Sequence, residues 1–168
     1  MFRKITALVL LALVALALMI AAPLRAAPNS NTFTVNTTAD ATDVAPGDGV
    51  CETAPATNNC TLRAAIQETN ALAGADTIIL QPATTYILTL FGSDDLAAKG
   101  DLDITDALTI NGGGANSTII DGNGSNMGDR VFDIRSNGTP TVNISNVTIR
   151  NGKLPPGNVG GPSRTLPT

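Results

Sequence analysis

Six aspartates, Asp101, Asp103, Asp106, Asp121, Asp129 and Asp133, fall in one stretch of this 168-residue chain, with Arg130 and Arg135 among them. Carboxylates in such numbers can hold a hard cation such as calcium, and a basic side chain beside them could take a proton from a bound substrate. Asp101 and Asp103 alternate along an extended run and so face one side of it, where they could share a cation or a sugar. The plainer reading is that aspartates at strand ends satisfy turn amides and keep a sheet soluble. Asp121-Gly122-Asn123-Gly124-Ser125 begins like a calcium loop, but Asn126 stands where the loop needs glycine and Phe132 where it needs the bidentate glutamate. Asp101, Asp103 and Asp121 are therefore the weak calcium candidates. No catalytic residue and no other cofactor is expected.

The residue types that are missing narrow the chemistry further. The chain has no histidine, which excludes His-dependent triads, His general bases and His metal ligands. Its two cysteines, Cys51 and Cys60, enclose a small, polar, turn-forming segment, so a disulfide closing an exposed loop is expected rather than a metal site or a reactive thiol.

Residues 1–26 read as an export signal, with two positive charges before an apolar run from Ile5 to Ala22, interrupted only by Thr6, and Pro23 after it. Cleavage is expected between Ala26 and Ala27. The run is also long enough to span a bilayer, so a retained anchor is the alternative and would be the only membrane contact. Removing Arg3, Lys4 and Arg25 leaves seven basic against fourteen acidic side chains. That acidity, with no aromatic cluster for bases to stack on, argues against a nucleic-acid partner.

The elements that must position these residues are a strand, a helix and a series of short β-runs. Residues 27–32 read as a loose lead-in and FTVNT from Phe33 as the first strand. The N-terminal unit, residues 33–76, continues through a turn-rich loop to a helix over residues 61–73. Thr61 is its N-cap, and Gly74 its left-handed stop. Leu62, Ala65, Ile66, Thr69 and Leu72 recur at helical spacing as one apolar stripe. The opposite face, with Arg63, Gln67 and Glu68, reads as the outer side.

From residue 77 to 152 the chain is a succession of β-branched runs: TIIL, YILTL, LDIT, LTIN, STIID, VFDI, TVNI and VTIR. Each is too short for a helix and ends at a turn signal. Ile87, Ile110 and Ile134 lie 23 and 24 positions apart, as do Ile120 and Ile144 at 24, a period that suggests a solenoid of β-coils. Asn111-Gly112-Gly113-Gly114 and Asp121-Gly122-Asn123-Gly124 would be its tight corners, where positive φ is needed. An antiparallel sandwich is the competing fold, and it predicts shorter gaps. Residues 153–168, rich in proline and glycine, read as a disordered tail that cannot continue the ladder.

The segment CTLRAAIQETNA at residues 60–71 resembles the motif that names the CSLREA-domain proteins of bacterial cell surfaces, with Thr61 for its Ser and Ala64 for its Glu. The likeness extends to FTVNTTADATD, GDGVC, GADTIIL, GDLDITDALTINGGGANSTIIDG, RVFDI and VTIRNG. In the family pattern the Ser and Glu form a capping box, and Ala64 removes its return half, which weakens the first helical turn. The resemblance implies an exported all-β solenoid whose N-terminal part begins a right-handed parallel β-helix of the pectate-lyase-like kind. It is akin to the repeat regions of polymorphic outer-membrane proteins, with one short capping α-helix. It implies no established activity.

The function expected is a non-enzymatic secreted or cell-surface module, the N-terminal cap and first coils of an adhesin-like or passenger protein. The structural cap would be the helix begun by Thr61, whose apolar stripe of Leu62, Ala65, Ile66 and Leu72 would serve as a lid over the first coil, pinned by Cys51 and Cys60. The alternative is a fragment of a β-helical polysaccharide lyase or glycoside hydrolase, a class that uses acidic residues to bind calcium and a basic one to abstract a proton. The proline-rich departure after Gly152 leads us to expect the N-terminal piece of a longer protein. A host-surface or extracellular glycan or protein would be met through the downstream region.

Overall fold

A computed structural model describes residues 29–135 and 140–153. The expected export signal lies outside the described residues, as does the tail after Lys153. The described chain is rich in β-strand, with two short helices. Nine strands are formed: β1 (Thr32–Thr34), β2 (Asp76–Ile79), β3 (Thr84–Ile87), β4 (Leu102–Ile104), β5 (Leu108–Asn111), β6 (Thr118–Asp121), β7 (Phe132–Ile134), β8 (Val142–Ser145) and β9 (Thr148–Arg150). Helix α1 (Leu62–Ala71) separates β1 from β2, and α2 (Gly124–Met127) follows β6.

All strand pairs are parallel, in three sheets ordered β1-β2-β5-β8, β3-β6-β9 and β4-β7. After α1 the chain visits the sheets in rotation, β2 then β3 then β4, and begins again at β5. Each of the eight β-branched runs contributes one strand. Apolar positions stack in register: Ile78 on Ile110 on Ile144, and Tyr86 on Ile120, with Ile149 next in register but exposed. Ile78, Ile110 and Ile120 are wholly buried with Leu102 and Ile104, and burying each such side chain contributes about 2–3 kcal/mol. Tyr86 joins them because its hydroxyl is satisfied, accepting the Gln81 N–H at 2.9 Å.

The register corrects the period. Stacked partners are 45, 32 and 34 positions apart in the first sheet, 34 and 29 in the second and 30 in the third. Ile87, Ile110 and Ile134, spaced by two dozen residues, lie in three different sheets, and Ile87 and Ile134 are exposed. Isoleucine is frequent enough here to produce a spacing that stacking does not use.

The corners also differ from expectation. Of Gly112, Gly113 and Gly114, only Gly114 has positive φ, and in the second corner that conformation falls on Asn123. Glycine is needed at 112 and 124 for proximity instead. A Cβ would meet the Asn146 oxygen at 2.3 Å from position 112 and the Asn151 oxygen at 2.4 Å from position 124. The second corner holds α2, a helix additional to the single one expected.

The N-terminal unit is tied in more closely than a loose lead-in would be. Asn31 donates its backbone N–H to Asp76 Oδ1 at 2.6 Å, and its carbonyl accepts the Thr77 N–H at 2.8 Å. Thr61 caps α1 by accepting the Ala64 N–H at 3.0 Å, and its own hydroxyl donates to the Ala41 carbonyl at 2.6 Å. The helix ends earlier than expected: Leu72 is extended, and its N–H bonds to the Glu68 carbonyl, before Gly74 is reached. The Cys51–Cys60 disulfide is present, as befits an oxidising compartment. Leu62, Ala65 and Ile66 are buried in the core, and Leu72 packs half-buried against it.

The face of α1 that reads as outer is buried as well. Arg63, Gln67 and Glu68 are at most 9% exposed, because the loops before and after the helix fold over it and match every polar group. Arg63 pairs with Asp40 at 2.6 Å and donates to the carbonyls of Ala97, Gly100 and Asp101. Glu68 accepts the N–H groups of Gly47 and Gly49 at 2.8 and 3.0 Å. Gln67 accepts from Asp43 N–H at 2.8 Å. Among the described residues, no helix is long and apolar enough to cross a membrane.

Candidate functional site

Strands β4 and β7 bring the aspartates together. Their pairing sets Asp103 beside Asp133, and the two-residue periodicity puts Asp101 on the same side of β4 as Asp103. The loop of residues 91–100 then closes over them. Asp94 Oδ1 turns that loop by accepting the N–H groups of Leu96 and Ala98, and Arg63 holds the carbonyls of Ala97 and Gly100 from beneath. The result is that Ala97 N–H donates to Asp103 Oδ2 at 3.0 Å, and Asp103 is 0% exposed.

Two arginines face this group. Arg130 Nε lies 2.7 Å from Asp101 Oδ2 and 3.7 Å from Asp129 Oδ1, and its Nη2 lies 3.5 Å from Asp133 Oδ2. Arg135 pairs closely with Asp133 and with Asp95, and its Nε is 3.7 Å from Asp103 Oδ1. Asp95, Asp101, Asp103, Asp129 and Asp133 thus outnumber the two guanidinium groups, so the cluster keeps an excess of negative charge.

Burial raises the Asp101 pKa to about 6, with Asp129 and Asp103 adding to the rise and Arg130 opposing it. Burial also raises Asp103, against the Ala97 N–H and Arg135. The hydrogen bond to Asp133 raises Arg135. Asp103 Oδ1 is buried with no hydrogen-bond partner. One carboxylate oxygen from each of Asp101, Asp103 and Asp133 lies within 4.8 Å of the others, and among the described residues no other three acidic or thiol groups converge in this way.

Asp121, the third calcium candidate, stands apart at the end of β6 in a different sheet. Arg150 Nε donates to it at 2.8 Å, Asn151 Nδ2 reaches both oxygens at 3.0 Å and Asn123 N–H donates at 2.9 Å. Burial would raise this carboxyl, and those hydrogen bonds outweigh it and hold the pKa below the usual range. Asp121 is a satisfied corner residue. Asp106 is another, accepting the Ala107 N–H at 2.7 Å.

Sequence patterning joins Asp101 to Asp103, but the partnership with Asp133 depends on which strands pair. Asp95 enters only because its loop folds back over β4, and no local signal announces that. Chemically the group suits a small cation better than a polymer, since Asp101 and Asp103 are at most 2% exposed and no glycan chain could touch them. No family model, curated protein or solved structure matches the chain.

Proposed function

We propose that the chain is the capped, opening end of a right-handed parallel β-helix of the CSLREA-domain kind, exported and serving as a non-enzymatic surface scaffold. The observation that carries this reading is what α1 does to the free edge of β4. Arg63 donates to the Gly100 and Asp101 carbonyls at 2.9 and 3.2 Å, Asn70 Nδ2 donates to the Asp103 carbonyl at 2.7 Å, and Asn70 Oδ1 accepts the Thr105 N–H at 2.8 Å. Two side chains thus satisfy the backbone groups that a preceding strand would have satisfied. Asp40 does the same just after β3, accepting the N–H groups of Thr89 and Leu90 at 2.6 and 3.0 Å.

An exposed edge is a template for unwanted strand addition, and a stack that begins with its edges capped is protected from it. The rotation of the chain through three parallel sheets supports the β-helix reading. The disulfide and the expected signal support export. The burial of Asp101 and Asp103 favours scaffold over lyase. Two measurements on the full chain test the proposal. Fractionation of expressing cells should recover the protein outside the cytoplasm with Cys51 and Cys60 joined. Incubation with pectin and alginate in the presence of calcium should yield neither unsaturated product nor new reducing ends. Cytoplasmic recovery with free thiols would refute export, and turnover lost in Asp103→Ala would replace the scaffold with the lyase.

A further inference from the structure

We infer that Asp101, Asp103 and Asp133 form a calcium site in which the cation bridges β4 to β7. Three independent features converge on it. The first is geometric: a carboxylate oxygen from each residue lies within 4.8 Å of the other two, a triangle that an ion with oxygen ligands at about 2.4 Å can span. The second is the Asp103 side chain. Its Oδ2 is fixed by the Ala97 N–H, while Oδ1 is buried, has no hydrogen-bond partner and lies 3.7 Å from Arg135 Nε, the nitrogen that pairs with Asp133. A buried carboxylate oxygen without a donor is costly, and a cation would supply what it lacks.

The third feature is charge. Arg130 and Arg135 cannot neutralise five carboxylates, and Arg135 is 40% exposed, so it can swing outward with the exposed Asp95 and admit an ion. The donors are hard oxygens, with no histidine in the chain and both cysteines in a disulfide, which selects calcium or magnesium over softer metals. Calcium tolerates irregular carboxylate geometry, whereas magnesium demands short, octahedral bonds and sheds water reluctantly. Asp101 and Asp103 come from one pass of the chain and Asp133 from the next, so the ion would join consecutive passes in a sheet that has only two described strands.

Calcium chloride titrated calorimetrically into the metal-free full chain should show one saturable site, with a dissociation constant of about 10⁻⁴ to 10⁻³ M. Magnesium should bind more weakly. Asp133→Asn, an isosteric change at a side chain only 18% exposed, should weaken calcium roughly tenfold or more with circular dichroism unchanged. Asp121→Asn should leave binding as it was. Arg135→Gln removes the competing cation and should tighten binding by roughly fivefold. That gain is one that a residue of purely structural importance would not produce. No saturable heat up to about 10 mM calcium, or binding indifferent to both Asp133→Asn and Arg135→Gln, would overturn the site.

Discussion

Glu68 is wholly buried, and its carboxylate is the one side-chain acceptor among the described residues for the Gly47 and Gly49 N–H groups. Helical patterning separates apolar from polar side chains. It cannot tell a polar face that meets water from one whose every group is matched by a loop distant in sequence, and so Arg63, Gln67 and Glu68 read as an outer face. What was legible was local: the Thr61 cap, the Leu62 and Ile66 stripe, and the alternation that sets Asp101 beside Asp103. The consequence is a reversal at position 68. Glu68→Ala should destabilise the fold by about 1–3 kcal/mol, because two loop amides lose their acceptor, and Glu68→Gln should cost less because one oxygen remains and a desolvated charge is removed. Urea denaturation of the two variants checks this. An Ala variant as stable as the parent would show that the loop of residues 47–49 is not held by the helix.

At the scale of elements, the eight β-branched runs were legible because alternation and turn signals are local, whereas their stacking was not. Which strand lies on which depends on loop lengths, and these set stacking separations that run from 29 to 45 positions. No fixed period in the sequence can encode such a variable rise. The role of α1 as an edge substitute likewise depends on Asn70, a residue that reads as unremarkable on a helix. Its amide serves β4 twice, as donor to the Asp103 carbonyl and acceptor from the Thr105 N–H. Asn70→Leu should therefore cost about 1–3 kcal/mol and promote association through the freed edge. Ile66→Asp, which places a charge at a site with no exposure, should abolish the fold outright. Sedimentation and circular dichroism distinguish the two outcomes. A monomeric Asn70→Leu protein of unaltered stability would remove α1 from the role of edge cap.

For the whole molecule, burial of carboxylates sets the response to pH. The folded-state pKa of Asp101 is raised to about 6 from 3.8, and those of Asp103 and Glu68 are raised too, so the native state binds more protons than the unfolded chain between about pH 4 and pH 6. Stability must then fall as pH rises through that window and stay low above it. The shift of Asp101 alone sets a ceiling of about 3 kcal/mol, at 1.36 kcal/mol per unit. Asp121 works in the opposite sense, because its pKa is lowered, but its contribution is lost only as pH falls below about 4. In chelator, where no cation can offset the repulsion, the urea midpoint of the full chain should be higher at about pH 4.5 than at about pH 7.5. Asp101→Asn should flatten this dependence by raising the midpoint at the higher pH, since the amide carries no charge to desolvate while Arg130 keeps Asp129 and Asp133 near it. A midpoint that climbs steadily from the acidic to the neutral condition would mean that the ion pairs of Arg130 and Arg135 outweigh the cost of burying the carboxylates. The acidic cluster would then stabilise the fold by itself, as a closed charge network with no excess for a cation to neutralise.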